Sequence, residues 1–238
     1  MGKPEKSGKR YKSLFFDLDD TLWDTTYNNK LCLEEIYDDY DFSRHYASFD
    51  AFYATYMPYN LTLWAKYRNQ EIDRRTLITE RLLYMLRPMG IDDEKFAIKL
   101  NNDFLQRTAT KKKLLDGALD LLIYLSSRYR LFILSNGFRE IQSLKMQHSG
   151  IYHYFEKVLL SEDISIQKPQ KRIFEYALMS TNSRRIESLM IGDAYEVDII
   201  GARNARIDQL WFNPENTPPQ GPPPTFTVRT LSEIKDFL

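Results

Sequence analysis

Beyond the basic triplet Lys111-Lys112-Lys113, short apolar runs alternate with helical segments, and that alternation leaves few folds open. The runs are Arg130-Leu131-Phe132-Ile133-Leu134, Lys157-Val158-Leu159-Leu160, Ser188-Leu189-Met190-Ile191 and Gln209-Leu210-Trp211-Phe212. A helical segment at 118–127 precedes the first, and segments at 138–148, 171–180 and 197–204 separate the others. Strand, helix, strand in repetition implies parallel βαβ units and a doubly wound α/β sheet. Leu14-Phe15-Phe16 reads as one more strand, placed ahead of all the others. At the far end, 213–225 is a proline-rich surface connection, Phe226-Thr227-Val228 an edge strand and 231–238 a last helix.

Between the first strand and the rest lies a stretch of another kind. From 26 to 110 the chain is polar, aromatic-rich and nearly free of strand signals, with candidate helices at 29–40, 49–67, 73–86 and 92–106. Asp50, Asp73 and Asp92 sit at or near helix starts, where a carboxylate can accept from free backbone amides. Pro58 predicts a kink or break in the second helix, and Gly90 a stop after the third. The simplest arrangement is an α/β domain of 11–25 and 111–238 carrying an all-helical insert at 26–110, with 1–10 a frayed tail.

Composition removes several classes of function. Lysines and arginines balance aspartates and glutamates, 33 against 33, so nothing suggests a nucleic-acid polymer gripped through its phosphates. No 18-residue apolar stretch exists to span a membrane, and 1–10 has no apolar core to serve as a leader. The single cysteine, Cys32, lies among apolar neighbours and reads as a buried structural thiol. The expected setting is the cytoplasm.

Asp17-Leu18-Asp19 stands directly behind the first strand. Like charges that close repel, and a cation is the usual means of keeping both ionised near neutral pH. Open α/β sheets bind ligands at the carboxyl ends of their strands. Ser135-Asn136, Lys168, and Asp193 with Asp198 also fall at strand ends or loops of the α/β part. Together these supply acids, a hydroxyl with neighbouring amides and an ammonium, the set needed to move a phosphoryl group with magnesium. That hard ion favours one or two protein carboxylates plus water and phosphate oxygens. Each residue alone has an ordinary reading: Ser135-Asn136-Gly137 as a turn, Lys168-Pro169 as an exposed helix start, Asp193 as a helix cap. Asp20 reads as backbone geometry, since aspartate tolerates unusual turn dihedrals.

In order and spacing these residues resemble the four motifs of the haloacid dehalogenase superfamily. Asp17, Asp19 and Thr21 match its Asp-x-Asp-x-Thr, Ser135 its hydroxyl motif, Lys168 its lysine motif, and Gly192, Asp193 and Asp198 its acidic motif. The resemblance implies a magnesium-dependent phosphatase acting on phosphate monoesters through an aspartyl-phosphate, with the helical insert as the cap. By the same resemblance Asp17 is the nucleophile and Asp19 the general acid and base. Ser135, Asn136 and Lys168 hold the phosphoryl group. Asp17, the Asp19 carbonyl and Asp193 hold the metal, supported by Thr21 and Asp198. A carboxyl at Asp19 favours an alkoxide leaving group, hence phosphatase over dehalogenase.

The stretch Asn60-Leu61-Thr62-Leu63-Trp64-Ala65-Lys66-Tyr67 and the turn Asn136-Gly137-Phe138 resemble the house-cleaning pyrimidine 5′-nucleotidases. That branch implies a nucleoside monophosphate as the small-molecule substrate. A sugar-phosphate or phosphoglycolate-type phosphatase, or a phosphomutase, is the alternative on the same fold. Trp23, Trp64 and Phe138 are the aromatics expected to stack on a base, although each also has core spacing.

Overall fold

The computed structural model describes residues 11–238; the tail expected at 1–10 lies outside the described residues. The strands are β1 (Ser13–Phe16), β2 (Arg130–Ser135), β3 (Lys157–Leu160), β4 (Ser188–Gly192), β5 (Asp208–Phe212) and β6 (Phe226–Val228). They form one sheet in the order β3-β2-β1-β4-β5-β6. Every neighbouring pair is parallel, as the strand–helix alternation requires. The described residues divide into two compact units, one running up to Thr25 and resuming over Lys112–Leu238, the other Thr26–Lys111.

The helical unit contains α1 (Thr25–Asp39) apart from its first residue, Thr25, which belongs to the other unit, and α2 (Phe49–Arg68), α3 (Arg74–Leu86) and α4 (Glu94–Thr110). Its core centres on Phe52, with Phe42 at 4.8 Å, Tyr46 at 5.3 Å and Tyr37 at 5.7 Å between ring centroids. Cys32 is fully buried in that core, and burial pushes its thiol above the ordinary value, as suits an inert structural cysteine. Pro58 neither breaks nor ends α2: the missing N–H forfeits one bond, and the turns on either side carry the helix through. Two caps differ from expectation by one or two residues. Ser48, not Asp50, accepts from the Ala51 amide at the start of α2. Asp93, not Asp92, caps α4, because Asp92 is drawn to Arg87 at 3.1 Å.

In the α/β unit, α5 (Ala118–Ser126), α6 (Arg139–His148), α7 (Lys171–Ser180) and α8 (Ile200–Asn204) join the strands. Alternation along β1 sends Leu14 and Phe16 to one face of the sheet and Phe15 to the other. The first face packs against Leu121, Leu122 and Leu125 of α5 and Met146 of α6. The second packs against Ile173, Phe174 and Ala177 of α7 and Ala202 of α8, with Phe15 stacked on Phe132 at 5.1 Å. Two expected helices are shorter or tighter than read. A single π-turn at Tyr195–Ile199 leads into α8, and the last segment is a 3-10 helix at Leu231–Asp236.

Candidate active site

Phe16 pairs with Ile133 on one side and Ile191 on the other, so β1, β2 and β4 end along one edge of the sheet. The chain winds outward from β1 through β2 to β3, then returns to β4 on the opposite side of β1. Between β1 and β4 the winding direction reverses, the place where such sheets open a ligand crevice. Asp17 leaves β1 there, its N–H donating to the Ile191 carbonyl at 2.9 Å, and Asp193 leaves β4 beside it.

Lys168 comes from the loop before α7 and is 1% exposed. Its ammonium donates to Asp17 Oδ1 at 2.7 Å and to Asp198 Oδ1 at 2.6 Å. The Asn136 side chain holds the Lys168 backbone from both sides: Nδ2 donates to its carbonyl at 3.0 Å, and Oδ1 accepts from its amide at 2.9 Å. Asn136 therefore has a side-chain role that its sequence context did not announce. Asp198 Oδ2 accepts from the Ala194 amide at 3.2 Å, so both of its oxygens are engaged. Gly192 makes this approach possible, since a Cβ there would lie 2.4 Å from Asp198 Oδ2. Thr21 Oγ donates to Asp193 Oδ1 at 2.8 Å and accepts from the Asp193 amide at 3.1 Å. Asp20 adopts φ 57°, the left-handed conformation expected of it.

Carboxylate oxygens of Asp17, Asp193 and Asp198 lie within 4.8 Å of one another. Two of these three acids, Asp17 and Asp198, share the Lys168 ammonium, and Asp193 stands beside them without it. Burial pushes Asp17 well above the usual carboxylate range; Lys168 works against this, while Asp198, Asp193 and Asp19 add to it. Burial and the neighbouring Asp198 carboxylate raise Asp193 to about 7. Burial alone would pull Lys168 down, but the Asp17 and Asp198 carboxylates hold it above its ordinary value. The surplus negative charge fits a divalent cation, and hard oxygen ligands fit magnesium. With Asp198 already committed, Asp17 and Asp193 are the carboxylates left to face an ion.

Asp19 is gripped by groups that the motif reading missed. Lys145 of α6 donates to its Oδ1 at 2.7 Å, Thr25 Oγ to the same oxygen at 2.8 Å, and Gln142 Nε2 to Oδ2 at 2.7 Å. Burial opposes ionising Asp19, yet these partners, Lys145 foremost, hold it below the usual range. The available signal was the spacing of Gln142 and Lys145, three residues apart on the helix that follows Ser135. Ser135 Oγ accepts from the Gly137 amide at 3.0 Å and from Gln142 Nε2 at 2.7 Å. Both lone pairs are filled, which leaves the Ser135 hydrogen to donate to a ligand.

The expected aromatic contacts need one correction. Trp23 is 0% exposed within the sheet core, and the Lys145 ammonium lies 4.3 Å from its ring centroid. A ring covered on that side cannot stack on a base. Phe138 is also buried, just ahead of α6, while Trp64 is half-buried in the helical unit and edge-on to Tyr67 at 5.9 Å. Among the described residues no helix is long and apolar enough to cross a membrane.

Residues 11–206 match the family model of haloacid dehalogenase-like hydrolases. The chain is 31% identical to the pyrimidine 5′-nucleotidase YjjG of Escherichia coli (strain K12), over 94% of this chain and 96% of that one. It is also 31% identical to the pyrimidine 5′-nucleotidase PynA of Streptococcus pneumoniae (strain ATCC BAA-255 / R6), over 96% and 95% of the two chains. Among solved structures it resembles YfnB of Bacillus subtilis, a putative hydrolase of this family crystallised with magnesium, with TM-score 0.82 and 28% identity. That match covers 95% of this chain and 97% of that one.

Proposed function

The chain belongs to the haloacid dehalogenase-like hydrolases, and from that footing we propose a magnesium-dependent phosphatase that acts on nucleoside 5′-monophosphates through an aspartyl-phosphate. One observation carries the reading: the Asp17 carboxylate, paired with Lys168, stands among the oxygens of Asp193 and Asp198 at the reversal of the sheet. The nucleotide part draws on the two relatives named as pyrimidine 5′-nucleotidases. In this reading the helical unit serves as the cap.

Asp17 Oδ attacks phosphorus, forming one P–O bond as the bond to the ester oxygen breaks. The departing alkoxide takes a proton from the Asp19 carboxyl, whose protonated form the bound phosphate dianion favours against the pull of Lys145, and leaves as an alcohol. Asp19 then takes a proton from water, whose oxygen attacks phosphorus and releases phosphate, and Asp17 is regenerated. Ser135 and the Asn136 amide donate to the phosphoryl oxygens, and Lys168 offsets their charge. A magnesium ion held by Asp17, Asp193 and the Asp19 carbonyl would supply electrostatic shielding between carboxylate and phosphate.

A panel of nucleoside monophosphates, sugar phosphates and phosphoglycolate tests the reading. Pyrimidine nucleoside monophosphates are expected to give the highest kcat/KM, with activity lost in EDTA and restored by magnesium. Nucleotides ranking no higher than sugar phosphates would remove the nucleotidase part and leave a general phosphatase. Inactivity on every ester with magnesium present would remove both.

Magnesium and protons compete for the same carboxylates. Asp193, raised to about 7, contributes stability to the metal-free fold below its unfolded value, and that contribution is lost as pH rises through 7. Magnesium is therefore expected to raise Tm far more at pH 8 than at pH 5. Equal shifts at both pH values would mean that the ion binds elsewhere.

A further inference from the structure

We propose that Gln142 and Lys145 of α6 are positioning residues for catalysis: they fix the direction of the Asp19 carboxyl, and Gln142 ties that direction to the Ser135 hydroxyl. This rests on the acid–base reading of Asp19 given above.

The Gln142 amide has two hydrogens, and the geometry accounts for both. One goes to Asp19 Oδ2 at 2.7 Å and the other to Ser135 Oγ at 2.7 Å. Turning the amide over would aim Oε1 at a carboxylate, so its orientation is set by charge. Its Oε1 lies buried with no hydrogen-bond partner among the described residues, a cost that the two donated bonds must offset. The surroundings are cut to admit it. A Cβ at Gly137 would lie 2.2 Å from Gln142 Nε2, so the residue at 137 must be glycine for the amide to reach Ser135.

Lys145 fixes the other oxygen. Its side chain is 8% exposed, and its ammonium lies between Asp19 Oδ1 and the face of Trp23. A buried ammonium with one carboxylate and one aromatic face has little freedom to wander, and neither does the carboxylate it grips. Trp23, which offers no surface to a ligand, thus acts as the floor beneath Lys145. Thr25 adds a third donor, so Asp19 is held from α6 and from the start of α1 together.

The consequence falls on the step that needs a proton. An alkoxide is a poor leaving group and needs the Asp19 proton, whereas p-nitrophenolate leaves readily without one. Misplacing Asp19 should therefore slow alkyl esters selectively. The test compares kcat/KM for p-nitrophenyl phosphate and for the best alkyl ester of the panel, in wild type, Lys145→Met, Gln142→Met and Asp19→Asn. Each positioning variant is expected to lose on the order of 10–100-fold on the alkyl ester. Lys145→Met should stay within about threefold on the aryl ester, because it leaves Ser135 untouched. Gln142→Met should lose somewhat more there, with the alkyl-to-aryl ratio still falling about tenfold.

Retained aryl turnover also shows that each variant has folded; if one variant does not fold, the other carries the test alone. An unchanged alkyl-to-aryl ratio in the folded variants would overturn the inference, provided that Asp19→Asn itself lowers that ratio. Should Asp19→Asn lower both esters equally, the acid–base role of Asp19 would fail first.

Discussion

Replacing Asp17 with asparagine is expected to abolish turnover while leaving the protein at least as stable as before. The amide cannot attack phosphorus, and loss of a nucleophile typically removes roughly 10⁴-fold or more from kcat. The stability argument runs the other way. The Asp17 carboxyl is raised well above the usual range, chiefly by burial, so its ionised form is the costly one. A group raised in this way favours the fold below its unfolded value and loses that contribution as pH climbs through the folded value. Asparagine cannot ionise, and its amide oxygen can still accept from Lys168. Metal-free Asp17→Asn should therefore melt no lower than wild type at pH 5 and higher at pH 8. Activity and thermal melts in EDTA at both pH values check the two halves. Near-normal hydrolysis by Asp17→Asn would end the covalent mechanism. Rapid-quench experiments on wild type should trap a phosphorylated protein that the variant never forms.

Lys168→Met is expected to damage both stability and activity. The substitution removes two charge-assisted bonds, at 2.7 Å and 2.6 Å, and strands two carboxylates in a site the ammonium shared with them. Breaking a buried ion pair from one side costs about 3–5 kcal/mol, because the remaining charge is left uncompensated. The loss should be greatest at pH 8 without metal and smaller at pH 5, where the stranded carboxylates take up protons. Urea midpoints in EDTA at the two pH values measure this. Activity should fall by about 10²–10³-fold even in saturating magnesium, since charge on the phosphoryl oxygens loses its ammonium. A midpoint at pH 8 equal to that of wild type would show that the pairing contributes nothing to the fold.

These two variants separate chemistry from architecture at one cluster. Asp17→Asn is expected to spare the fold, because burial makes the Asp17 charge costly and Asp198 still pairs with Lys168. Lys168 serves both ends. Such a division is common where a site keeps ionisable groups out of water for function.

Much of this was legible in the chain before any coordinate. Alternation of apolar runs with helical segments determined a parallel sheet, and a parallel sheet aligns the carboxyl ends of its strands. Asp17 after Phe16, Ser135 at the end of β2 and Asp193 after Gly192 therefore had to share an edge. Local chemistry was legible too: the cap at Asp73 and the strained turn at Asp20 follow from residue type. What only the tertiary structure decided is which side chain meets which. Gln142 and Asp19 are 123 positions apart; the spacing of Gln142 and Lys145 puts them on one helix face but does not name the carboxylate that face meets. By sequence Trp23 admits two readings, a base-stacking aromatic or a core one; its full burial and the Lys145 ammonium over its ring decide for the core. Sequence periodicity reports the backbone and its wet and dry faces, because those depend on neighbours along the chain. Hydrogen-bond partners depend on rotamers and on distances between elements, and those exist only once the sheet has closed around them.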